Sequence, residues 1–194
     1  MKAQRNNFKI TIYALAIGFI FINYACGNKT AKTQKQDAKQ TIIQAPKVSI
    51  HEAAFMGNVK AIEQHIAAKS DLNIKDQFGS SPLAIAATFN KVDVARALIK
   101  GGADLSIKGA DGSTALHTAA FFCRKEIVSA LLDGGADKDA TNNYGSTPLQ
   151  SVSGSFDEVK AIYKQINKDL GPLGLRLDYE ELKTIRPEIA ELLK

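Results

Sequence analysis

The side chains able to do chemistry are few and far apart. The 194-residue chain has three histidines (His51, His65, His117) and two cysteines (Cys26, Cys123). A metal site needs three or four ligands converging on one point. His51 and His117 hold the same place in two units that are not neighbours in the chain, which is too far to share an ion. Their expected role is hydrogen bonding between neighbouring units, because buried polar groups normally find partners. His65 falls on a helix and is expected to face solvent. Cys123 reads as a small apolar residue at a helix junction; the alternative is a thiol that senses oxidation or pairs with a partner. The glycines around 101, 134 and 171 lack the Lys-Ser/Thr pair of a phosphate-cradling loop. Acidic residues occur singly at regular offsets, as on a solvated face. The sequence therefore predicts no catalytic residue, no metal, no cofactor and no enzyme.

Those regular offsets are the strongest signal in the chain. Gly79, Gly112 and Gly145 stand 33 residues apart. Leu83, Leu116 and Leu149 keep the interval, with Ile50 one step earlier. So do Ala53-Ala54, Ala86-Ala87 and Ala119-Ala120, and also Ser70-Asp71, Ala103-Asp104 and Ala136-Asp137. A fixed period of this length marks a repeat architecture, which must be recognised before anything else is assigned.

Each unit has a physical plan. Ser81-Pro82, Thr114-Ala115 and Thr147-Pro148 supply a hydroxyl N-cap and a residue suited to the first helical turn. A short helix rich in small residues follows, then a second with apolar residues at helical spacing: Val92, Ala95, Leu98 and Ile99, and Ile127, Ala130, Leu131 and Leu132. Gly101-Gly102 and Gly134-Gly135 end the second helix with a left-handed residue. The remainder, such as Asp104 to Gly112, is an extended finger with a turn.

Ser81-Pro82-Leu83-Ala84-Ile85-Ala86-Ala87 and Thr114-Ala115-Leu116-His117-Thr118-Ala119-Ala120 resemble the T-P-L-H-x-A-A signature of ankyrin repeats, and Gly101-Gly102-Ala103-Asp104 resembles the family's G-A-D ending. The resemblance covers roughly residues 48 to 170 and implies an all-α solenoid. About four helix-turn-helix repeats are expected, near 48–79, 80–112, 113–145 and 146–177, plus a C-terminal helical cap at 178–194. The first unit lacks the Thr-Pro cap and the fourth loses its glycine-alanine ending, as terminal repeats do. The tail from Asp178 to Lys194 is expected to form two short helices broken before Pro187, covering the last apolar face as a degenerate fifth unit.

Residues 1–26 read as a signal peptide. Lys2, Arg5 and Lys9 precede an uncharged apolar run from Ile10 to Ile22, too short to cross a bilayer comfortably. Ala25-Cys26-Gly27 resembles the end of a bacterial lipoprotein box, although Asn23 and Tyr24 depart from it. Lipidation of Cys26 is favoured over ordinary cleavage after Ala25 or an uncleaved anchor. Residues 27–47 hold five lysines, one aspartate and almost nothing to bury, which predicts a disordered tether. The leader and tether hold the positive charge, +3 and +4 of the chain's total of +5, so the repeat body is near −2 and has no basic footprint for nucleic acid. The expected place is the bacterial cell envelope, lipid-anchored and facing the periplasm; the alternative is soluble periplasmic or secreted. A monomer is expected.

The family resemblance implies protein binding through the finger tips and the exposed side of the first helices. The finger pairs are Gln77-Phe78, Ala110-Asp111 and Asn143-Tyr144; the helix pairs are Phe55-Met56, Thr88-Phe89 and Phe121-Phe122. Six of the chain's fourteen Phe and Tyr fall at these places. Clustered exposed apolar groups usually mark a contact surface, so an aromatic groove for an extended segment or helix of a partner protein is expected. Other readings are an antagonist of a secreted enzyme and a passive envelope component.

Overall fold

The computed structural model describes residues 44–194. The expected leader, Cys26 and the tether up to residue 43 lie outside the described residues. The described residues form nine α-helices: α1 (Ile50–Met56), α2 (Val59–Ala67), α3 (Pro82–Thr88), α4 (Val92–Lys100), α5 (Ala115–Phe121), α6 (Lys125–Asp133), α7 (Pro148–Ser153), α8 (Phe156–Leu170) and α9 (Tyr179–Leu192). No strand occurs among them. No helix among them is long and apolar enough to cross a membrane.

Side-chain caps set the starts of the first helices. Ser49 accepts from Glu52 N–H at 3.1 Å and Ser81 from Ala84 N–H at 3.2 Å. At α7 the cap is reciprocal: Thr147 Oγ accepts from Gln150 N–H, and Gln150 Oε1 accepts from Thr147 N–H. Left-handed residues then turn the chain from each first helix to its second. They are Gly57, Asn90 and Cys123, with φ of 76°, 53° and 54°, in 33-residue register. A second set, Lys69, Gly102 and Gly135, follows each second helix. The preceding glycine answers a different need: a Cβ on Gly101 would lie 2.6 Å from Ile66 Cδ1 of the unit before.

The helices stack in two rows. α1, α3, α5 and α7 pack in order, as do α2, α4 and α6, and in the first three units each first helix packs on its second. The alanine pairs, all fully buried, permit this close approach. Leu83, Leu98, Leu116, Ile127 and Leu131 fill the space between rows at 2% exposure or less, each burial stabilising by about 1.5–3 kcal/mol.

The fourth unit departs from the expected plan. α8, which follows α7 directly, does not fill the second-helix place; α9 does, packing on α7 and α6. Its N-cap Asp178 follows Arg124, the N-cap of α6, by 54 positions where the repeat would give 33. The cause is local. The place held by Gly57, Asn90 and Cys123 falls in this unit to Phe156, a bulky residue for which a left-handed conformation is costly. The chain instead runs extended through Gly154 and starts α8 on a Ser155 cap. The tail thus covers the end of the stack as the partner of α7, not as a further unit.

Two smaller expectations also give way. α9 is one continuous helix with Pro187 inside it, not two short ones. Its buried stripe of Leu182, Arg186, Ile189 and Leu193 outweighs the backbone bond lost at an exposed proline. His65 is buried, not solvent-facing; it hydrogen-bonds Val48 O at 2.9 Å and Ser70 Oγ at 3.0 Å, because it shares the inner face of α2 with Ala61 and Ile62.

Candidate protein-binding face

Each finger tip is shaped by one short polar side chain. Asp76 Oδ1 accepts from the N–H groups of Phe78 (2.9 Å) and Ser80 (2.8 Å). Two units on, Asn142 Oδ1 does the same for Tyr144 and Ser146, both at 3.0 Å. These turns push Phe78 and Tyr144 into solvent, at 73% and 78% exposure. The middle finger has Gly109 at that place, and Asp111 at its tip folds back to accept from Ser113 N–H and Oγ–H. Asp76 and Asn142 were not singled out in the sequence; an Asp or Asn two residues before an aromatic, at repeat spacing, was the available signal.

Adjacent fingers are tied together. Asn143 donates its N–H to Asp111 O at 3.0 Å and its side-chain NH₂ to Ala110 O at 3.2 Å. His117 ties a helix to the following finger. Its Nε2–H donates to Ser146 O at 2.9 Å, which leaves Nδ1 to accept from Thr114 N–H at 3.2 Å and Thr114 Oγ–H at 2.9 Å. Burial holds its pKa below the usual imidazole range, so the ring is a neutral strut. His51 Nε2 meets Ile74 O at 2.9 Å.

The expected aromatic surface divides into three. Met56, Gln77, Phe78, Ala110, Asp111, Asn143 and Tyr144 are exposed. Thr88, Phe55 and Phe89 are half-buried, the two rings meeting edge to face with centroids 4.7 Å apart across α1 and α3. The third pair is the most covered, with Phe121 half-buried and Phe122 buried. Phe122 is 7% exposed and edge-on to Phe121 at 5.2 Å. Phe121 lies beneath Tyr163 of α8, centroids 4.7 Å apart. The displaced α8 thus covers Phe121 through Tyr163.

Tyr163 anchors that arrangement. It is fully buried, donates its hydroxyl to Phe121 O and accepts from Arg186 Nη1 at 2.9 Å. Arg186 also donates to Gly154 O at 3.0 Å, fixing the start of the inserted segment. Sequence reasoning missed both residues. Phe156, Val159, Tyr163, Ile166 and Leu170 recur at helical spacing, but the repeat alignment assigned that stripe to the second-helix place. Between α8 and the fingers of the third and fourth units lies a groove of about 600 Å³, lined by Phe121, Tyr144, Val159, Ile162 and Ile166 with Asp111, Asn142 and Gln150 at its polar edge.

Among the described residues, no three His, Cys, Asp or Glu side chains come together as metal ligands. Cys123 is buried and free, and burial pushes its thiol up to about 11, far from thiolate reactivity at neutral pH.

Residues 50–142 match the model of the family described as ankyrin repeats, in three copies. Those residues are ankyrin repeats. No curated protein matches it. The match stops before α7, the helix after which the 33-residue plan fails.

Proposed function

We propose that this protein acts by binding and not by catalysis. Its finger tips and first helices grip an extended segment or helix of a partner protein, and Cys26 holds it on the outer side of a bacterial membrane. Ankyrin repeats are generic protein–protein interaction modules, which is the coarse basis of this reading. The observation that carries it is the set of large apolar side chains left in solvent on that face: Met56 at 67%, Phe78 at 73% and Tyr144 at 78%. Apolar anchors of this kind dominate interface energetics. The membrane part rests on the short apolar run before Ala25-Cys26-Gly27.

Crosslinking in cells followed by mass spectrometry tests the binding reading. A stoichiometric protein partner should be recovered. Its capture should fall by about tenfold or more when Met56 and Phe78 are replaced by Ser, with helicity retained because neither side chain is buried. Unchanged capture contradicts the proposed face. For the anchor, Cys26→Ser should move the protein from the membrane to the soluble fraction; continued membrane retention counts against lipidation.

A further inference from the structure

The groove beside α8 has a chemistry of its own, because an inserted helix supplies one wall. Tyr144 and Phe121 stand on the repeat side; Val159, Ile162 and Ile166 stand on α8. Ile162 is 50% exposed, an apolar side chain left in solvent at the groove. Tyr163 and Arg186 fix the wall in place through buried hydrogen bonds, so the groove is pre-formed and costs little ordering to fill.

The polar edge is equally specific. Asn142 commits its side-chain oxygen to the N–H groups of Tyr144 and Ser146, and Gln150 commits its own to Thr147 N–H. Each therefore has its carboxamide NH₂ to offer a carbonyl acceptor. Among the described residues, Asp111 is the only Asp or Glu lining the groove, and no Lys or Arg lines it. Its carboxylate is held by Ser113 N–H at 3.0 Å and Ser113 Oγ–H at 2.8 Å. The neighbouring Lys108 is spent on Thr141 O at 2.7 Å.

We infer that this groove is a docking site for a short extended peptide segment of the partner, one carrying a large apolar side chain beside a lysine or arginine. The apolar side chain enters between Tyr144 and Ile162, peptide carbonyls accept from Asn142 and Gln150, and the cation meets Asp111. The inference rests on the protein-binding reading above and gives that face a peptide specificity. A peptide fits better than a whole helix because α8 itself occupies the space that a partner helix would take over Phe121.

The test is selection from a random hexapeptide library displayed on phage against the full-length chain immobilised in detergent. Enriched sequences should pair a basic residue with Leu, Ile, Phe or Met. Ile162→Asp should lower binding of a synthetic enriched peptide by about tenfold or more. Asp111→Asn should remove the preference for the basic residue and leave the apolar preference standing. Both positions are exposed, and circular dichroism verifies that the variants fold. No enrichment, or peptides indifferent to both substitutions, overturns the proposal. Peptides that lose binding on Met56→Ser and Phe78→Ser instead overturn this groove while leaving the broader binding reading intact. Loss of neither set, together with no crosslinked partner in cells, overturns both.

Discussion

Tyr163 shows how much one side chain can hold in a repeat protein. Its hydroxyl, itself fully buried, receives a buried Arg186 N–H and gives its own hydrogen to Phe121 O. Tyr163→Phe should cost about 2–3 kcal/mol in urea denaturation, because it strands a buried charged donor. A midpoint unchanged from the parent would show the network to be inert. The same residue sets an alkaline limit. Burial pushes Tyr163 up to about 12 from 10.0 and Cys123 up to about 11 from 9.0. Above pH 9 the unfolded chain loses these protons first, so stability is full below that pH and declines through the window up to about 12. Cys123→Ala should delay the onset to about pH 10, read from urea midpoints across pH. His117 acts in the acid direction. Its folded pKa lies below 6.5, so the unfolded chain takes up the proton first and stability falls as pH drops through and below 6.5. His117→Asn should flatten that part of the profile.

At the scale of elements, the turns carry the repeat. Lys69 holds a left-handed φ of 55° where the next two units have Gly102 and Gly135. Lys69→Gly should raise stability by about 0.5–1 kcal/mol, since the relief of backbone strain exceeds the added chain entropy; thermal melts check it, and a lower Tm would contradict the strain. The first three units were readable in the sequence because period, cap and apolar spacing agreed at every offset. The fourth was not. Its Thr147-Pro148-Leu149 start fits the plan and its apolar stripe looks like a second helix. Only the absence of a residue fit for a left-handed turn at position 156 argues otherwise. The candidate face was legible in the same uneven way. Phe78 and Tyr144 sit at the expected exposed tips, whereas Phe121 carries the same pattern but lies against Tyr163 of a helix whose placement no local rule predicts.

For the whole molecule, the end of the stack depends on α9. It seals α6 and α7 with Leu182, Ile189 and Leu193, each contributing about 1.5–3 kcal/mol. Ending the chain after Gly174 should therefore remove most of the stability of a domain this size, seen as a broad, low-temperature melt. A sharp melt at the parent temperature would mean that the first three units stand alone. The displacement of α9 also has a consequence in time. In the other units the two helices are joined across a short turn, from Met56 to Val59 or from Phe121 to Lys125, whereas α7 ends at Ser153 and its partner begins at Tyr179. Closing that longer loop costs about 2 kcal/mol more in chain entropy before any contact compensates. Folding should accordingly start among the first three units, with the fourth layer closing last and leaving α7 one-sided until then. A protein emerging into a crowded compartment would expose that flank of α7 for longest, so the interval before α9 docks is when this chain is most open to misassembly.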